Sequence, residues 1–530
     1  MPALLQRLNR PIVAILAVAA LAGIVRGWAL ANPPDMVFDE VYYAKAGCIF
    51  VGGSDQTCRI DEDAEHYWVE HKWDVGSWVH PPLGKWMTGM GIKAFGMDAF
   101  GWRFVSAVVG TLIATLVASI AYLLLGSVMW TYVAGLLVAV EHLNHVMARV
   151  ALLDVHLEFW IVLGFLFLLL DRRWIDRRTP EWVPEPVSAE PDELPEPAEE
   201  LDALGFGPGE PDLAPGVPAA GEVVIARRAA RRVPSPIWRP FRFAAGAALG
   251  AAVAVKWSGI TALGAAVLLS YIWETSRRTR GDLGRWHAFG RTIAVETFSL
   301  ALAFAIVPFA VYMVTWLPWF NHFGWSLKAW WENQTASWDY HRDLTEFALD
   351  SKTDTYTPTH PYYSKAWEWI PMLRPVSFYV RDLGPDIRQI LSIGNPMVFW
   401  FTAWTIPYAA FSWWRRRDWH AGFMVVPFLI QWVPWMLVSR PQFFFYALPL
   451  TPFMILAAVY ALRDISDAKI VLRDGETGEI VESTRHPYRP IVWAYLILAV
   501  GLFAWFWPVL VGGRLSDTLW RARVWFRGWI

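Results

Sequence analysis

From Phe104 to Val140 the chain carries no Asp, Glu, Lys or Arg. A run of that length is too apolar for the surface of a water-soluble domain, and it continues to Leu170 with only Glu141, Arg149, Asp154 and Glu158 interrupting it. It holds room for three bilayer-crossing helices of about 20 residues each, read here as 104–125, 130–148 and 153–170. Of the 530 residues, 18% are charged and 55% hydrophobic, whereas a soluble domain carries about 25% charged residues. The fold class that follows is an all-α polytopic membrane protein. A net charge of -2 gives no sign of nucleic-acid binding. The 35 Trp suit interfacial belts and sugar-stacking surfaces equally, so they do not discriminate.

Charge at the ends of the apolar runs sets the expected topology. Pro11 to Leu30 forms a first span, read as a retained anchor because no small-residue cleavage site precedes Asn32. Arg7 and Arg10 precede it and acids follow, so positive-inside bias puts residue 31 onward outside the cytoplasm. Loop 31–99 is external and, with its Pro, Gly and Trp, suits short amphipathic helices lying on the membrane. Arg172, Arg173, Arg177 and Arg178 close the N-terminal module 1–170 on the cytoplasmic side. Segment 171–240 contains a Pro-, Glu- and Ala-rich stretch with little apolar surface to bury, and is expected to be a disordered cytoplasmic linker. Two short helices meeting near Lys256 and a span at 291–314 make up a transmembrane block, 241–316. A second outer loop, 317–393, is dense in Trp, Tyr, His and Pro. The C-terminal module 394–530 contains spans at 394–414, 421–438, 443–461 and 491–511. The total is about eleven transmembrane helices.

This topology collects Asp39, Glu40, His80, Lys85, Glu141, His142, Arg149, Asp154, Lys256 and Arg440 at or just below the outer surface. Ionisable groups near membrane depth are costly and are usually paired and functional. A lipid phosphate leaving from a sugar needs fixed cations, and a hydroxyl attacking that sugar needs a base within reach. The set contains both. Each residue also has a plainer reading: Asp39-Glu40 as a solvated loop pair, His80-Pro-Pro as a stiff turn, Glu141 as a satisfied polar group inside the bundle, Arg440 as a headgroup anchor. Cys48 and Cys58 share the first outer loop. A disulfide fits an oxidising compartment, and a pair of buried thiols is the alternative. No cluster has metal-ligand spacing, and Asn333-Gln334-Thr335 is a formal sequon of little weight.

Taken together, these residues resemble the protein O-mannosyltransferases, polyprenyl-phosphate-dependent enzymes of the GT-C glycosyltransferase fold. Phe38-Asp39-Glu40-Val41-Tyr42-Tyr43 is similar to the family's Asp-Glu motif, and His80-Pro-Pro-Leu-Gly-Lys85 to its His-Pro-Pro signature. Arg149 to Asp154, Lys256-Trp-Ser-Gly259, the stretch from His360 to Tyr379 and Ser439 to Phe453 resemble further family blocks. The second outer loop is too short for the β-trefoil MIR domain of eukaryotic members, so the resemblance is to the bacterial, actinobacterial-like branch.

The resemblance implies mannosyl transfer, with inversion, from polyprenyl-phosphate mannose to Ser or Thr hydroxyls of exported proteins, at the outer face of the plasma membrane. It makes Asp39 the general base, and has Glu40 position sugar or acceptor. Arg149 and Arg440 would hold the donor phosphate, with Lys85 and Lys256 near it. His80 and His360 would shape the pocket, and Asp154 would pair with a cation. It implies no metal and no cofactor beyond the lipid-linked donor, with Ser/Thr-rich segments of secreted proteins, membrane lipids and the secretion machinery as partners. Two other functions are weighed beside it. One is a GT-C transferase acting on a lipid or cell-wall glycan. The other is a secondary transporter, which would place its charges at the midplane and not at the outer helix ends.

Overall fold

The computed structural model describes residues 9–54, 56–58, 79–178, 235–279, 284–350, 355–473, 480–482 and 486–529. The described residues up to 171 and from 239 onward belong to one compact unit. Most of the expected linker, 179–234, lies outside the described residues.

Helices stand at each of the segments read as spans. The N-terminal part contains α1 (Pro11–Gly27), α2 (Glu40–Phe50), α3 (Leu83–Phe95), α4 (Ala99–Leu125), α5 (Val128–Ala139), α6 (His142–Met147) and α7 (Leu153–Arg178). Then come α8 (Pro240–Val255), α9 (Gly259–Thr279) and α10 (Arg285–Ala301), the last continuing through a π-turn into α11 (Val307–Thr315). Among the described residues, six helical stretches are long and apolar enough to cross a bilayer, and Pro11–Gly27, Val128–Ala139 and Pro240–Val255 are shorter apolar helices. The protein is a multi-pass membrane protein. Its most enclosed stretch is Phe444–Asp467, 94% of whose apolar window is buried in protein; Arg285–Thr315 and Arg489–Leu510 are only 33% buried. The former is therefore packed inside the bundle. The latter two present apolar faces outward, as helices bounded by lipid do.

One span departs from its expected form. The reading of 130–148 as a single helix is corrected: it breaks at Val140-Glu141 into α5 and α6. Glu141 has extended backbone (φ -74°, ψ 123°) and caps α6, accepting from the Asn144 N–H at 2.6 Å. An acceptor side chain at that point satisfies an orphan donor of the new helix and makes the break stable.

The second outer loop is not purely helical, so the all-α expectation is corrected there. After α12 (Leu317–Phe323) and α13 (Leu327–Asp343) come a hairpin, β1 (Phe347–Asp350) and β2 (Thr355–Pro358), and then β3 (Val376–Asp382) and β4 (Asp386–Ser392). Strand β4 also pairs antiparallel with Arg514–Ser516, so the sheet joins the loop to the C-terminal segment. Between β3 and β4, Gly384 turns the chain at φ +84°, a conformation open to glycine. The alternation of Val376, Phe378 and Val380 with polar residues is a strand pattern that a helical reading of a short loop overlooks.

Two close approaches position the site. Helices α2 and α3 cross where Gly47 meets Gly89: a Cβ on Gly89 would lie 2.4 Å from the Gly47 carbonyl oxygen, and one on Gly47 2.8 Å from that of Lys85. Small residues let backbones approach this closely inside a membrane protein. The crossing brings the N-terminus of α2, with Asp39, beside the His80-Pro-Pro turn that opens α3. A disulfide between Cys48 and Cys58 closes the far end of α2.

Candidate active site

A cavity of about 440 Å³ opens above this crossing, within the size of small-molecule sites. Its wall includes Asp39, His80, Asp154, Lys256, His360 and Arg440 from the sequence-expected set, drawn from separate parts of the chain. Tyr42, Tyr43, Tyr340, His341, Phe443 and Tyr446 also line it. Glu40, Lys85, Glu141 and Arg149 do not line it.

Asp39 sits immediately before α2 (φ -71°, ψ 1°), yet its side chain does not cap the helix. Among the described residues its carboxylate has no hydrogen-bond or ion-pair partner. Phe38, just before it, is held at φ +51°, a region costing a bulky residue on the order of 1–2 kcal/mol. Offset stacking on Phe378 (4.7 Å) and an edge contact with Phe445 (5.8 Å) hold it there. Desolvation raises the Asp39 pKa to about 7; Lys256 opposes the rise and Asp154 adds to it. A carboxylate poised near neutrality is suited to general-base work.

Its neighbour Glu40 does something else. Fully buried, it receives Arg103 Nε and Nη2 at 2.8 and 2.7 Å and the backbone N–H groups of Val37 and Ala151 at 2.8 and 2.9 Å. All its acceptor capacity is used inside the protein. The expectation that Glu40 touches sugar or acceptor is therefore corrected: it ties the loop to α4 and to the start of α7.

Lys256 occupies the break between α8 and α9, in extended backbone. It donates to Asp154 Oδ1 at 2.9 Å and lies 4.2 Å from the Tyr446 ring centroid. Asp154 thus pairs with Lys256, which leaves Arg440 as the lining cation without a carboxylate partner among the described residues. Arg440 Nη1 contacts His341 Nδ1 at 2.5 Å, and its Nε is buried without a partner. His80 stacks on His341 with centroids 5.3 Å apart. Burial, with Lys256 and the other nearby cations, holds the His80 pKa well below the usual histidine range. His360 accepts from the Tyr362 N–H at 3.2 Å and meets Phe443 edge-on.

The remaining candidates support the fold. Arg149 donates to the carbonyls of Arg26 and Trp28 at 2.7 and 2.5 Å and to that of Ala29 at 3.1 Å, closing the end of α1. Expected at the donor phosphate, it does not line the cavity. Lys85 reaches back to the His80 carbonyl at 2.6 Å and braces the Pro-Pro turn. Glu141, besides capping α6, accepts from the Asn395 N–H at 2.9 Å. Sequence reasoning missed His341 and Tyr340. They stand in a polar, Trp-rich helix whose spacing carries no signal for either. Among the described residues no group of three or more His, Cys, Asp or Glu is placed to hold a metal ion.

Comparison with known proteins agrees with this architecture. A family model for dolichyl-phosphate-mannose–protein mannosyltransferase matches residues 16–184, and one for the C-terminal four-helix region of protein O-mannosyltransferase matches 326–529. The polyprenol-phosphate-mannose–protein mannosyltransferase of Mycolicibacterium smegmatis (strain MKD8) is 28% identical, covering 97% of this chain and 92% of its own length. The enzyme of the same name from Mycobacterium tuberculosis H37Rv is 26% identical, over 93% and 86%. In fold, the chain is similar to the Saccharomyces cerevisiae Pmt1–Pmt2 complex bound to the sugar donor (TM-score 0.68, 14% identity, 100% and 94% coverage). A lesser fold similarity is to apo ArnT of Cupriavidus metallidurans (TM-score 0.50, 16% identity, 94% and 76%). With two models of one family matching its N-terminal and C-terminal parts, relatives of one activity along nearly its whole length, and the GT-C fold, the chain belongs to the protein O-mannosyltransferase family of glycosyltransferases.

Proposed function

We propose that this protein transfers mannose from polyprenyl-phosphate mannose to Ser or Thr hydroxyls of exported polypeptides, at the extracytoplasmic face, with inversion at the anomeric carbon. Asp39 is the general base. As the acceptor oxygen attacks C1, its proton passes to the Asp39 carboxylate, while the C1–O bond to phosphate breaks and its electron pair leaves with the polyprenyl phosphate. Arg440 holds the donor phosphate through charge-assisted hydrogen bonds that persist as charge grows on it. The Lys256 charge lowers the Asp39 pKa, against the rise that desolvation and Asp154 produce. The outer-face assignment rests on Arg172–Arg178 and Arg415–Arg417 marking the opposite helix ends.

The observation that carries the reading is the Asp39 carboxylate, uncommitted among the described residues, in a cavity wall that also holds an arginine without a carboxylate partner among them. The test incubates purified protein with polyprenyl-phosphate mannose and a Ser/Thr-rich peptide, and weighs the peptide. An added hexose lost in Asp39→Asn supports the proposal; hexose on a lipid or glycan acceptor and none on peptide refutes the acceptor assignment.

A further inference from the structure

Helix α13 brings Tyr340 and His341 to the cavity, and both ring nitrogens of His341 are engaged. His341 Nε2 lies 3.0 Å from the Val79 carbonyl oxygen, and its Nδ1 lies 2.5 Å from Arg440 Nη1. A guanidinium has donors only, so Nδ1 must accept. Nε2 must then carry the proton and donate to Val79. The two contacts therefore fix one neutral tautomer. Its surroundings agree: burial lowers the His341 pKa to about 4, and the Arg440 charge adds to the effect. Ser337, one turn earlier on α13, donates to the same Val79 carbonyl at 3.1 Å. Trp257 packs edge-on against the ring at 6.1 Å and His80 stacks on its face at 5.3 Å. The imidazole is thus oriented from the second outer loop, the His80 turn and the α8–α9 break together.

We infer that His341 is a positioning residue for the anion site: it holds the Arg440 guanidinium by a neutral acceptor, so that the remaining N–H donors face the cavity with their charge uncompensated. A carboxylate in its place would hold the guanidinium as firmly but neutralise it. An aliphatic residue would leave a long side chain to reorder at each binding event. A neutral acceptor gives orientation without spending the charge that a phosphate must meet. The inference rests on Arg440 being the phosphate ligand.

The test uses full-length protein in nanodiscs, with polyprenyl-phosphate mannose and a Thr-containing peptide. The Asn amide oxygen sits close to the imidazole Nδ1 position, so His341→Asn keeps the acceptor for Arg440 and loses the Val79 contact. His341→Gln does the reverse. The expected result is that His341→Gln raises donor KM roughly tenfold, the loss of one hydrogen bond to a charged group, with kcat within about twofold. His341→Asn stays near wild type, and His341→Gln adds nothing to Arg440→Ala, because residues that act as a unit are non-additive. Equal effects of Gln and Asn, or additive effects in the double variant, would overturn the positioning role. Should Arg440→Ala raise donor KM while His341→Gln does not, the inference alone fails. Should Arg440→Ala leave donor KM unchanged, the phosphate assignment fails and takes the inference with it.

Discussion

Arg103 grips Glu40 with two hydrogen bonds, 2.8 Å from Nε and 2.7 Å from Nη2, and both side chains are withdrawn from solvent. The next residue back, Asp39, faces the cavity with no such partner. Adjacent acids of one motif therefore divide into a structural one and a chemical one. Removing one member of a buried ion pair costs about 3–5 kcal/mol, because the other charge is left uncompensated. Glu40→Ala should accordingly lower the thermal transition markedly and reduce the yield of folded protein. Asp39→Asn should leave the transition within about 1 kcal/mol of wild type and abolish turnover. Thermal unfolding in detergent, set beside hexose transfer, separates the two.

The acidic limb of the pH profile should belong to Asp39. Its pKa is raised to about 7, so below that pH the carboxyl is protonated and cannot accept the acceptor's proton. We expect kcat/KM, which reports the free enzyme, to rise tenfold per pH unit below about 7 and then level off. A profile flat from pH 5 to 8 would remove Asp39 from the base role.

Changing the Lys256–Asp154 pair should move that limb in opposite directions. Lys256 lowers the Asp39 pKa and Asp154 raises it. In Lys256→Met the stabilising cation is gone and the limb moves to higher pH. In Asp154→Asn the repelling charge is gone and Lys256 is freed, so the limb moves to lower pH. The measurement is kcat/KM against pH for each variant, and shifts of the same sign in both would contradict the arrangement.

Arg149 should behave as a strut. Its guanidinium is committed to the carbonyls of Arg26, Trp28 and Ala29 at the end of α1, so Arg149→Ala leaves three carbonyls short of a donor. Each buried carbonyl left without its donor costs about 1–3 kcal/mol. The expected outcome is a lowered thermal transition with donor KM unchanged in the protein that remains folded. A donor KM raised as far as in Arg440→Ala would return Arg149 to the phosphate site.

The division between these residues follows from what a sequence can encode locally. Charge-free runs such as Phe104–Val140 determine by themselves that the chain lies in lipid, and the order of motifs from Asp39 to Arg440 identified the family. The helices then fell where the apolar runs were, because burial against lipid is a property of a continuous stretch. Which side chain faces the cavity was decided elsewhere. Phe38, held at positive φ by Phe378 and Phe445, precedes the point where Asp39 and Glu40 part to opposite surroundings. Arg149 was drawn to carbonyls more than a hundred positions away, and Arg440 to a histidine 99 residues earlier. Hydrogen bonds of that kind are chosen by proximity in space, and only the packed bundle brings these partners together.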